Sequence, residues 1–230
     1  MHPLESESSL IVYVDIKSPY AFVAIEPILA MERALDVQFD WRPLTLDIPS
    51  YLGSARKKAG KVVSSTRSPA QWLGVKYAYR DARRYAEQQG HILKGTEKIW
   101  DSSLANMGIQ WVMTQQPDRL AAYFAQVYPP FWRRELDIED PQVMLDCLAS
   151  AGVTTHGLLD YFSGAGRAAH DQLQEQLHSC GIYGVPTFVF NEPEGQTILF
   201  GREHIPYVRW HLSGREGDAP DIAYELPARA

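Results

Sequence analysis

Cysteine is scarce in this sequence, and its two positions are too far apart for the usual cysteine-based structures. Cys147 and Cys180 are the two cysteines among 230 residues. They form neither a Cys-x-x-Cys pair nor part of a four-ligand set, so the sequence indicates neither a disulfide scaffold nor a structural zinc site. A fold stabilised by an ordinary hydrophobic core is expected, because a chain of this length can bury one without cross-links.

Long apolar runs and an excess of positive charge are also missing. The longest apolar run near the N-terminus covers residues 10–14, far below the ~20 residues of a membrane-spanning helix. Residues 1–9 are polar and acidic, unlike a secretory signal. The 22 basic and 28 acidic side chains give a net charge of -6, which disfavours nucleic-acid binding. We therefore expect a cytoplasmic protein without membrane or nucleic-acid partners.

Motifs for the common phosphate, hydrolase and metal sites are absent or lie in the wrong context. Residues 164–169 fit Gly-x-Gly-x-x-Ala, but they follow no strand, which a dinucleotide site requires. No Gly-x-Ser-x-Gly occurs, so a hydrolase nucleophile elbow is unsupported. His170 and His178, like His204 and His211, are two helical turns apart, too far for one helix face to chelate a metal. No metal site is expected.

The composition is that of a globular protein, and residues 10–42 predict strand, helix and strand. The chain is 45% hydrophobic and 22% charged, as is usual for globular domains. Residues 10–15 are β-branched and aromatic and predict a buried strand. Ser18-Pro19 is a helix start, and an apolar stripe continues to about residue 35. Alternating polarity over residues 37–42 predicts the second strand.

The middle of the chain shows helical patterns and no strand pattern. Residues 50–67 are basic and lack clear periodicity, which predicts a loop that either contacts an anion or lies in solvent. Ser68-Pro69 repeats the helix-start signal, and that helix is expected to end near Gly90. Further helices are predicted over residues 97–114, 118–128, 141–151, 155–163 and 166–180.

The last part of the chain predicts strands again. Residues 187–190 and 197–200 are short β runs joined by turn residues, which predicts a hairpin, and a helix follows over about 203–213. This order is that of an α/β, thioredoxin-like fold with a large all-helical insertion. We predict a discontinuous domain over 9–65 and 166–214, a helical insert over 66–165, and a tail over 215–230.

Two positions are candidates for function. Ser18 lies between a strand and a helix, where free N–H groups and the helix dipole stabilise an anion; the alternative is that it only caps the helix. Pro186 follows Gly184-Val185 and precedes a strand, which indicates a constrained backbone. In a thioredoxin-like fold this proline faces the first helix, so we expect the Val185-Pro186 peptide bond to be cis.

Three segments carry a family resemblance. They are Asp15-Ile16-Lys17-Ser18-Pro19-Tyr20, Gly184-Val185-Pro186-Thr187-Phe188 and Phe200-Gly201-Arg202-Glu203-His204. With the helical insert they resemble the DsbA-like branch of the thioredoxin superfamily, and most of all its 2-hydroxychromene-2-carboxylate isomerases and kappa-class glutathione transferases. The insert adds Tyr77-x-x-x-Asp81-x-x-Arg84-x-Ala86, which is similar to a pattern in those proteins. The resemblance covers about residues 9–213.

The resemblance implies glutathione as the cofactor and a set of contacts for it. Ser18 would hold the glutathione sulfur. The backbone of Val185, before the cis Pro186, would pair with the cysteinyl part. Glu203 would bind the γ-glutamyl amino group, and Arg202 would contact the carboxylate. Family members usually carry aspartate where Glu203 stands, so the chain departs from the pattern there.

The start of the first helix separates this chain from the redox members of the family. Those proteins begin the helix with Cys-Pro-x-Cys, whereas the same positions here read Ser18-Pro19-Tyr20-Ala21. Neither thiol needed for dithiol exchange is present. The resemblance therefore implies a glutathione-dependent isomerase or transferase that acts on an aromatic or conjugated small molecule. Two alternatives stay open: a thiol-less thioredoxin-fold binding module, and a DsbA-family oxidoreductase.

Aromatic residues are numerous in the insert, and two roles are open for them. They line an apolar substrate pocket or they pack helices against each other. The candidates are Trp72, Tyr77, Tyr79, Trp100 and Trp111. Their number, together with the family resemblance, also predicts a homodimer, because it exceeds what one core readily buries.

Overall fold

The computed structural model of the chain describes residues 2–193 and 195–220. The strands are β1 (Ile11–Val14), β2 (Asp40–Pro43), β3 (Ala55–Lys58), β4 (Lys61–Ser65), β5 (Thr187–Glu192) and β6 (Gly195–Phe200). The helices are α1 (Pro19–Leu35), α2 (Ile48–Leu52), α3 (Pro69–Gln88), α4 (Ser103–Gln115), α5 (Leu120–Trp132), α6 (Pro141–Ser150), α7 (Leu158–Ser163), α8 (Ala165–Leu177) and α9 (Ile205–Leu212). Of the predicted tail over 215–230, residues 221–230 lie outside the described part.

Four strands form one mixed sheet in the order β2-β1-β5-β6. β1 runs parallel to β2 and antiparallel to β5, and β5 is antiparallel to β6. Every residue of β1 is buried, as is typical of an inner strand covered on both faces. The predicted strand-helix-strand start and the predicted hairpin near the end of the chain are confirmed, and they meet in this sheet.

Helix α1 begins where the sequence predicts and is held at the end of β1. Ser18 has an extended backbone, and its side chain accepts a hydrogen bond from the Ala21 N–H. Pro19 occupies the first helical position, where its missing N–H costs nothing. At the other end Asp36 takes a left-handed φ of 51° and caps the helix through its own N–H.

Residues 50–67 are not the loop predicted from their lack of periodicity. They contain the hairpin β3–β4, whose register shifts between Arg56 and Lys57. Ala59 and Gly60 form its turn with positive φ values of 50° and 77°, as in a type I′ turn. The prediction was wrong because β4 is exposed along its whole length, so no alternation of apolar and polar residues marks the strand.

Between β4 and β5 the described residues contain helices and no strand, as predicted. Stacked aromatic rings join α1 to α5: the ring of Phe22 lies 5.7 Å from that of Tyr128 and 6.0 Å from that of Trp132. The chain therefore has a thioredoxin-like α/β fold with a helical insertion. The domain boundaries after residue 65 and before residue 166 stay predictions.

One predicted helix starts later than its sequence pattern indicates. The pattern begins at residue 97, whereas α4 begins at Ser103. Residues 97–102 do not form part of the helix. The Glu97 carbonyl accepts a 2.7 Å hydrogen bond from the Lys57 N–H in the hairpin. This contact attaches the segment before α4 to the β3–β4 hairpin, and both lie at the site described below.

Gly108 in α4 and Gly74 in α3 form a matched pair that tests the packing of the insert. A Cβ added at Gly108 would lie 2.2 Å from the hydroxyl oxygen of Tyr123, which donates to the Ala105 carbonyl at 2.7 Å. We expect Gly108→Ala to lower the free energy of unfolding by about 1–3 kcal/mol, because overpacking forces Tyr123 to shift. Nothing lies within 4 Å of a Cβ at Gly74, so Gly74→Ala should raise the free energy of unfolding by about 0.5–1 kcal/mol. Urea denaturation measures both, and equal effects would contradict the α4–α5 packing.

Candidate active site

A cavity of about 1560 Å³ lies at the N-terminus of α1. Its walls are the start of α1, the segment from β2 through the hairpin β3–β4, one face of α3, residues 95–100, the end of α8 and the residues before β5. Small-molecule pockets usually measure about 300–1,000 Å³. The cavity is therefore larger than most small-molecule pockets.

Ser18 lies in the wall of this cavity with only 4% of its surface exposed. Its Oγ accepts a hydrogen bond of 3.2 Å from the Ala21 N–H. Accepting that bond leaves the hydroxyl hydrogen free to donate to a ligand. The first turn of a helix also leaves backbone N–H groups without helical partners. Ser18 is thus both the N-cap and a donor at the positive end of the α1 dipole.

A buried carboxylate fixes the loop that carries Ser18. Asp15 is fully buried, and one carboxylate oxygen accepts from Ser102 Oγ at 2.5 Å, Asn106 Nδ2 at 3.0 Å and the Lys17 N–H at 3.2 Å. The other oxygen accepts from the Leu46 N–H at 2.8 Å. These donors come from the loop before α1, the segment after β2, and the start of α4. Asp15 therefore joins two walls of the cavity, the loop before α1 and the segment after β2, to the start of α4 behind them.

The hydrogen-bond network continues from Asp15 to a buried histidine. Asn106 Nδ2 also donates to Thr45 Oγ1 at 2.7 Å, and Thr45 Oγ1 lies 2.9 Å from His170 Nε2. His170 Nδ1 lies 3.2 Å from a carboxylate oxygen of Asp171. Burial lowers the pKa of His170, which favours the neutral imidazole. In that form an Nδ1–H that donates to Asp171 leaves Nε2 to accept from the Thr45 hydroxyl. Thr45 itself lines the cavity.

Helix α3 is attached to the start of α1 by a tyrosine. The Tyr20 hydroxyl donates to the Asp81 carboxylate at 3.1 Å. Burial, and next the negative charge of Asp81, raise the pKa of Tyr20 well above its ordinary value. Asp81 belongs to the sequence pattern of the insert that carried part of the family resemblance. This bond holds α3 against the start of α1, next to Ser18.

The residues predicted to bind glutathione occupy different places. Val185 is buried and lines the same cavity as Ser18, and the Val185-Pro186 peptide bond is cis. The Arg202 guanidinium instead stacks on the ring of Tyr85 at 3.5 Å. Arg202 and exposed Glu203 are not among the described residues that line the cavity. The structure brings Ser18 and Val185 together, and it leaves the predicted contacts of Arg202 and Glu203 without geometric support.

The aromatic candidates divide between the cavity and the core. Trp72, Tyr79 and Trp100 line the cavity. Trp111 packs against Tyr161 with ring centroids 4.9 Å apart, so it is a helix-packing residue. Tyr77 is 56% exposed and is not among the described lining residues. The cavity thus offers flat apolar surfaces from α3 and from the segment before α4.

The cavity is cationic although the chain is acidic overall. Seven basic side chains and two acidic ones are among the lining residues: Lys17, Lys57, Arg67, Lys76, Arg80, Arg83 and Lys98 against Asp47 and Glu97. Several of these cations lie over aromatic rings, as Lys98 does over Trp100 at 4.1 Å and Arg67 over Trp72 at 5.0 Å. Burial lowers the pKa of Arg67. An anionic ligand is favoured by this charge distribution.

The two cysteines lie away from the cavity. Cys147 is buried, and burial raises the pKa of its thiol to about 11. Cys180 is partly exposed and unpaired. Neither is among the described lining residues. Within the described ranges, we find no group of three or more histidine, cysteine or carboxylate side chains that could hold a metal. No helix among the described residues is long and apolar enough to cross a bilayer.

Several residues around the site were not singled out from the sequence. In the sequence, Asp15 and Lys17 stand out only as parts of a motif, and nothing marks Thr45. Asn106 lies one helical turn after Ser102, which is a weak local signal of a polar network on one face of α4. His170 was considered only as a metal ligand, and its role in this network depends on tertiary contacts.

His170 predicts a pH dependence of stability. Burial lowers the pKa of His170 below its ordinary value of 6.5, so the folded state disfavours the proton that the unfolded chain binds. Because the folded-state pKa is the lower one, this stabilisation is complete above about pH 6.5 and is lost as the pH falls toward the folded pKa. We expect the free energy of unfolding in urea to drop between about pH 7 and about pH 5.

The variant His170→Gln should flatten that pH dependence, whatever its own stability. The exposed His156 supplies the control, because His156→Gln should leave the slope of the wild type unchanged. A slope in His170→Gln equal to that of the wild type would contradict the assignment of a buried neutral imidazole.

Comparison with solved structures places the fold among known ones. A 2-hydroxychromene-2-carboxylate isomerase aligns with a TM-score of 0.66 at 16% identity, over 90% of this chain and 94% of that one. A candidate protein disulfide isomerase from Nitrosomonas europaea aligns with a TM-score of 0.65 at 12% identity, over 92% of this chain and 100% of that one. The cytosolic disulfide reductase DsbM from Pseudomonas aeruginosa, solved with GSH, aligns with a TM-score of 0.60 at 16% identity, over 90% of this chain and 98% of that one. At such identities the likeness shows the fold alone.

The family assignment comes from the sequence itself. No curated protein matches the sequence significantly. The family described as DSBA-like thioredoxin domain matches residues 9–213, which include β1 through α9 and therefore the whole sheet and all walls of the cavity. The chain belongs to the DSBA-like thioredoxin domain family.

Proposed function

We propose that the protein is a glutathione-dependent isomerase or transferase that acts on an aromatic or conjugated small molecule. The observation that carries the proposal is the buried hydroxyl of Ser18, which lies in the cavity wall at the N-terminus of α1 with its hydrogen free to donate. A helix N-terminus favours an anion, and a hydroxyl donor at the same point favours a thiolate over a thiol.

The residues beside Ser18 fit a bound glutathione. Val185 lines the same cavity directly before Pro186, which places a backbone segment where a peptide-like ligand can pair with it. The positive charge of the cavity suits the carboxylates of glutathione. One structural neighbour, DsbM, was solved with GSH. The proposed contacts of Arg202 and Glu203 rest on the family resemblance.

Each wall of the cavity contributes to the proposed chemistry. When bound, glutathione would supply a thiolate nucleophile, recovered unchanged in an isomerase or retained in the product of a transferase. Ser18 holds that sulfur in the ionised form by donating a hydrogen bond. Trp72, Tyr79 and Trp100 supply aromatic surface for the substrate. A cation lies over one face of each ring: Arg67, Arg83 and Lys98 respectively.

A disulfide oxidoreductase is the second candidate, because DsbM is a disulfide reductase of similar fold. Dithiol exchange needs an attacking thiolate and a resolving thiol near each other. The start of α1 carries Ser18 and Ala21 at those positions. Cys147 is buried with its pKa raised to about 11, and Cys180 lies outside the described cavity lining. These facts favour the glutathione-dependent reaction. If the protein reduced the disulfides of insulin, the oxidoreductase would become the better-supported candidate.

We further propose a cytoplasmic homodimer. Exposed apolar side chains lie on the hairpin β3–β4, on α2 and on the outer face of α3: Tyr51, Val62, Val63, Leu73 and Tyr77. Val62 and Leu73 line one shallow groove together. Apolar groups exposed together in this way are typical of an interaction surface.

Ser18→Ala tests the proposed role of the hydroxyl. A charge-assisted hydrogen bond contributes about 1.5–3 kcal/mol, so its loss should raise the pKa of the bound glutathione thiol by about 1–2. The thiolate absorbs in the ultraviolet, and its absorbance against pH in the saturated complex gives that pKa for the wild type and the variant. The cap is also lost, at a cost of about 1 kcal/mol of stability.

Ser68→Ala is the matched control for the lost cap. Ser68 begins α3 in the same Ser-Pro context and accepts from the Gln71 N–H at 3.2 Å, but it is exposed and is not among the described cavity residues. Ser68→Ala should lower the stability by a similar amount and leave the pKa of the bound glutathione thiol unchanged. Superimposable titrations of wild type and Ser18→Ala would mean that Ser18 is only a cap. Failure of the wild type to bind glutathione would favour a binding module.

A further inference from the structure

A basic stretch without acidic residues leads from α2 through the hairpin β3–β4 into α3. Between Asp47 and Asp81 the chain carries seven basic side chains and no acidic one, although its net charge is -6. From the sequence, the part over residues 50–67 either contacts an anion or lies in solvent. Four of the seven cations line the cavity: Lys57, Arg67, Lys76 and Arg80. Part of the stretch therefore faces a space in which a ligand fits.

The hairpin β3–β4 turns one lysine toward the cavity and the others away from it. Side chains alternate between the two faces of a strand. Lys57 lines the cavity, whereas its neighbours Arg56 and Lys58 are exposed and lie outside the described lining. Lys57 pairs with Val62 in the ladder, so their side chains share one face of the hairpin with Cβ atoms about 4.5–5.5 Å apart.

Val62 connects this cation with two others at the start of α3. Val62, Arg67, Trp72 and Lys76 line one shallow groove together, and all four also line the cavity. The Arg67 guanidinium lies 5.0 Å from the centre of the Trp72 ring, and Lys76 follows Trp72 by one helical turn. Lys57, Arg67 and Lys76 therefore lie around one aromatic ring, and we call these three side chains the outer cations.

The outer cations lack acidic partners in the part of the chain that the structure describes. Arg67 donates from Nε to the Gly53 carbonyl at 3.3 Å, and none of the three forms an ion pair with a described residue. Of the two acidic residues in the lining, Glu97 lies 3.5 Å from Arg134. Burial lowers the pKa of Arg67, as expected for a cation that has lost water without gaining a carboxylate.

The outer cations are displaced from Ser18 along α3. This helix contacts the start of α1 where Tyr20 donates to Asp81 at 3.1 Å. Trp72 and Lys76 precede Asp81 by nine and five residues. At a rise of 1.5 Å per residue, they lie about 13.5 Å and about 7.5 Å further along the helix axis. A ligand held by the outer cations therefore reaches Ser18 only if it extends through the cavity.

Three neighbouring cations fit a diphosphate better than a single carboxylate. A carboxylate neutralises one cation, whereas a diphosphate carries several negative charges spread over many acceptor oxygens. Only Nε of Arg67 is bonded to Gly53, so the two terminal nitrogens of the guanidinium are available to bind phosphate oxygens as a fork. The two lysines add point charges, which also bind phosphates well.

We infer that the outer cations bind a diphosphate group of the acceptor substrate, whose conjugated part extends through the cavity to the sulfur beside Ser18. This inference rests on the proposed function, because that function makes the second ligand an acceptor for glutathione. It narrows the substrate class to conjugated compounds that are linked to a diphosphate.

Titration calorimetry with ADP and adenosine isolates the contribution of a diphosphate. In magnesium-free buffer, we expect the wild type to bind ADP at least about tenfold more tightly than adenosine. In the double variant Lys57→Met/Lys76→Met the ratio should fall to about threefold or less, with the remainder due to Arg67. Inorganic pyrophosphate gives the same comparison without the purine, and it should lose affinity in this variant as ADP does.

The double variant Lys58→Met/Lys61→Met is the matched control. It removes the same charge from the same hairpin, but Lys58 and Lys61 are exposed, pair with each other in the ladder and lie outside the described lining. The ratio of the two affinities should equal that of the wild type. Equal binding of ADP and adenosine by the wild type, an equal fall in both double variants, or a loss that pyrophosphate does not share would overturn the inference.

Glutathione titrations separate this inference from the proposed function. Wild type saturated with ADP should bind glutathione within about threefold of the free protein, because the outer cations are displaced from Ser18 along α3. A larger loss would place the diphosphate in the glutathione part of the cavity and overturn its assignment to the acceptor. Failure of the wild type to bind glutathione would contradict the proposed function, while the ratio of ADP to adenosine affinity would still decide whether the outer cations bind a diphosphate.

Discussion

The buried carboxylate of Asp15 is the interaction on which the rest of the site depends. A carboxylate without solvent is tolerated only when donors surround it, and here the donors come from the loop before α1, the segment after β2, and the start of α4. Satisfying one side chain therefore orients three elements relative to each other. The position of Ser18 and the shape of the cavity follow from that constraint.

Ser18 stabilises the fold and serves the proposed reaction with different atoms. Its oxygen accepts from the Ala21 N–H and caps α1, while its hydrogen is the atom that donates to the sulfur in the proposed reaction. Ser68 shows that the local sequence does not create such a site, since the same Ser-Pro start at α3 is exposed. Tertiary position distinguishes the two: α1 starts at the end of a buried strand, and α3 starts at the surface.

Much of the fold could be predicted because its signals are local. The strands β1 and β5 are β-branched and aromatic, and α1 and α3 have caps that a sequence shows directly. The hairpin β3–β4 was not predicted because apolar and polar residues do not alternate along either strand. The site was harder to predict because it depends on distant pairs, such as Asn106 and Asp15, which are 91 positions apart.

A crystal structure of the protein soaked with glutathione tests the central claim most directly. We expect glutathione in the cavity at the N-terminus of α1, with its sulfur within about 3.5 Å of Ser18 Oγ and its cysteinyl backbone paired with Val185. Glutathione bound elsewhere on the surface, or a cavity without glutathione at saturating concentration, would contradict the account.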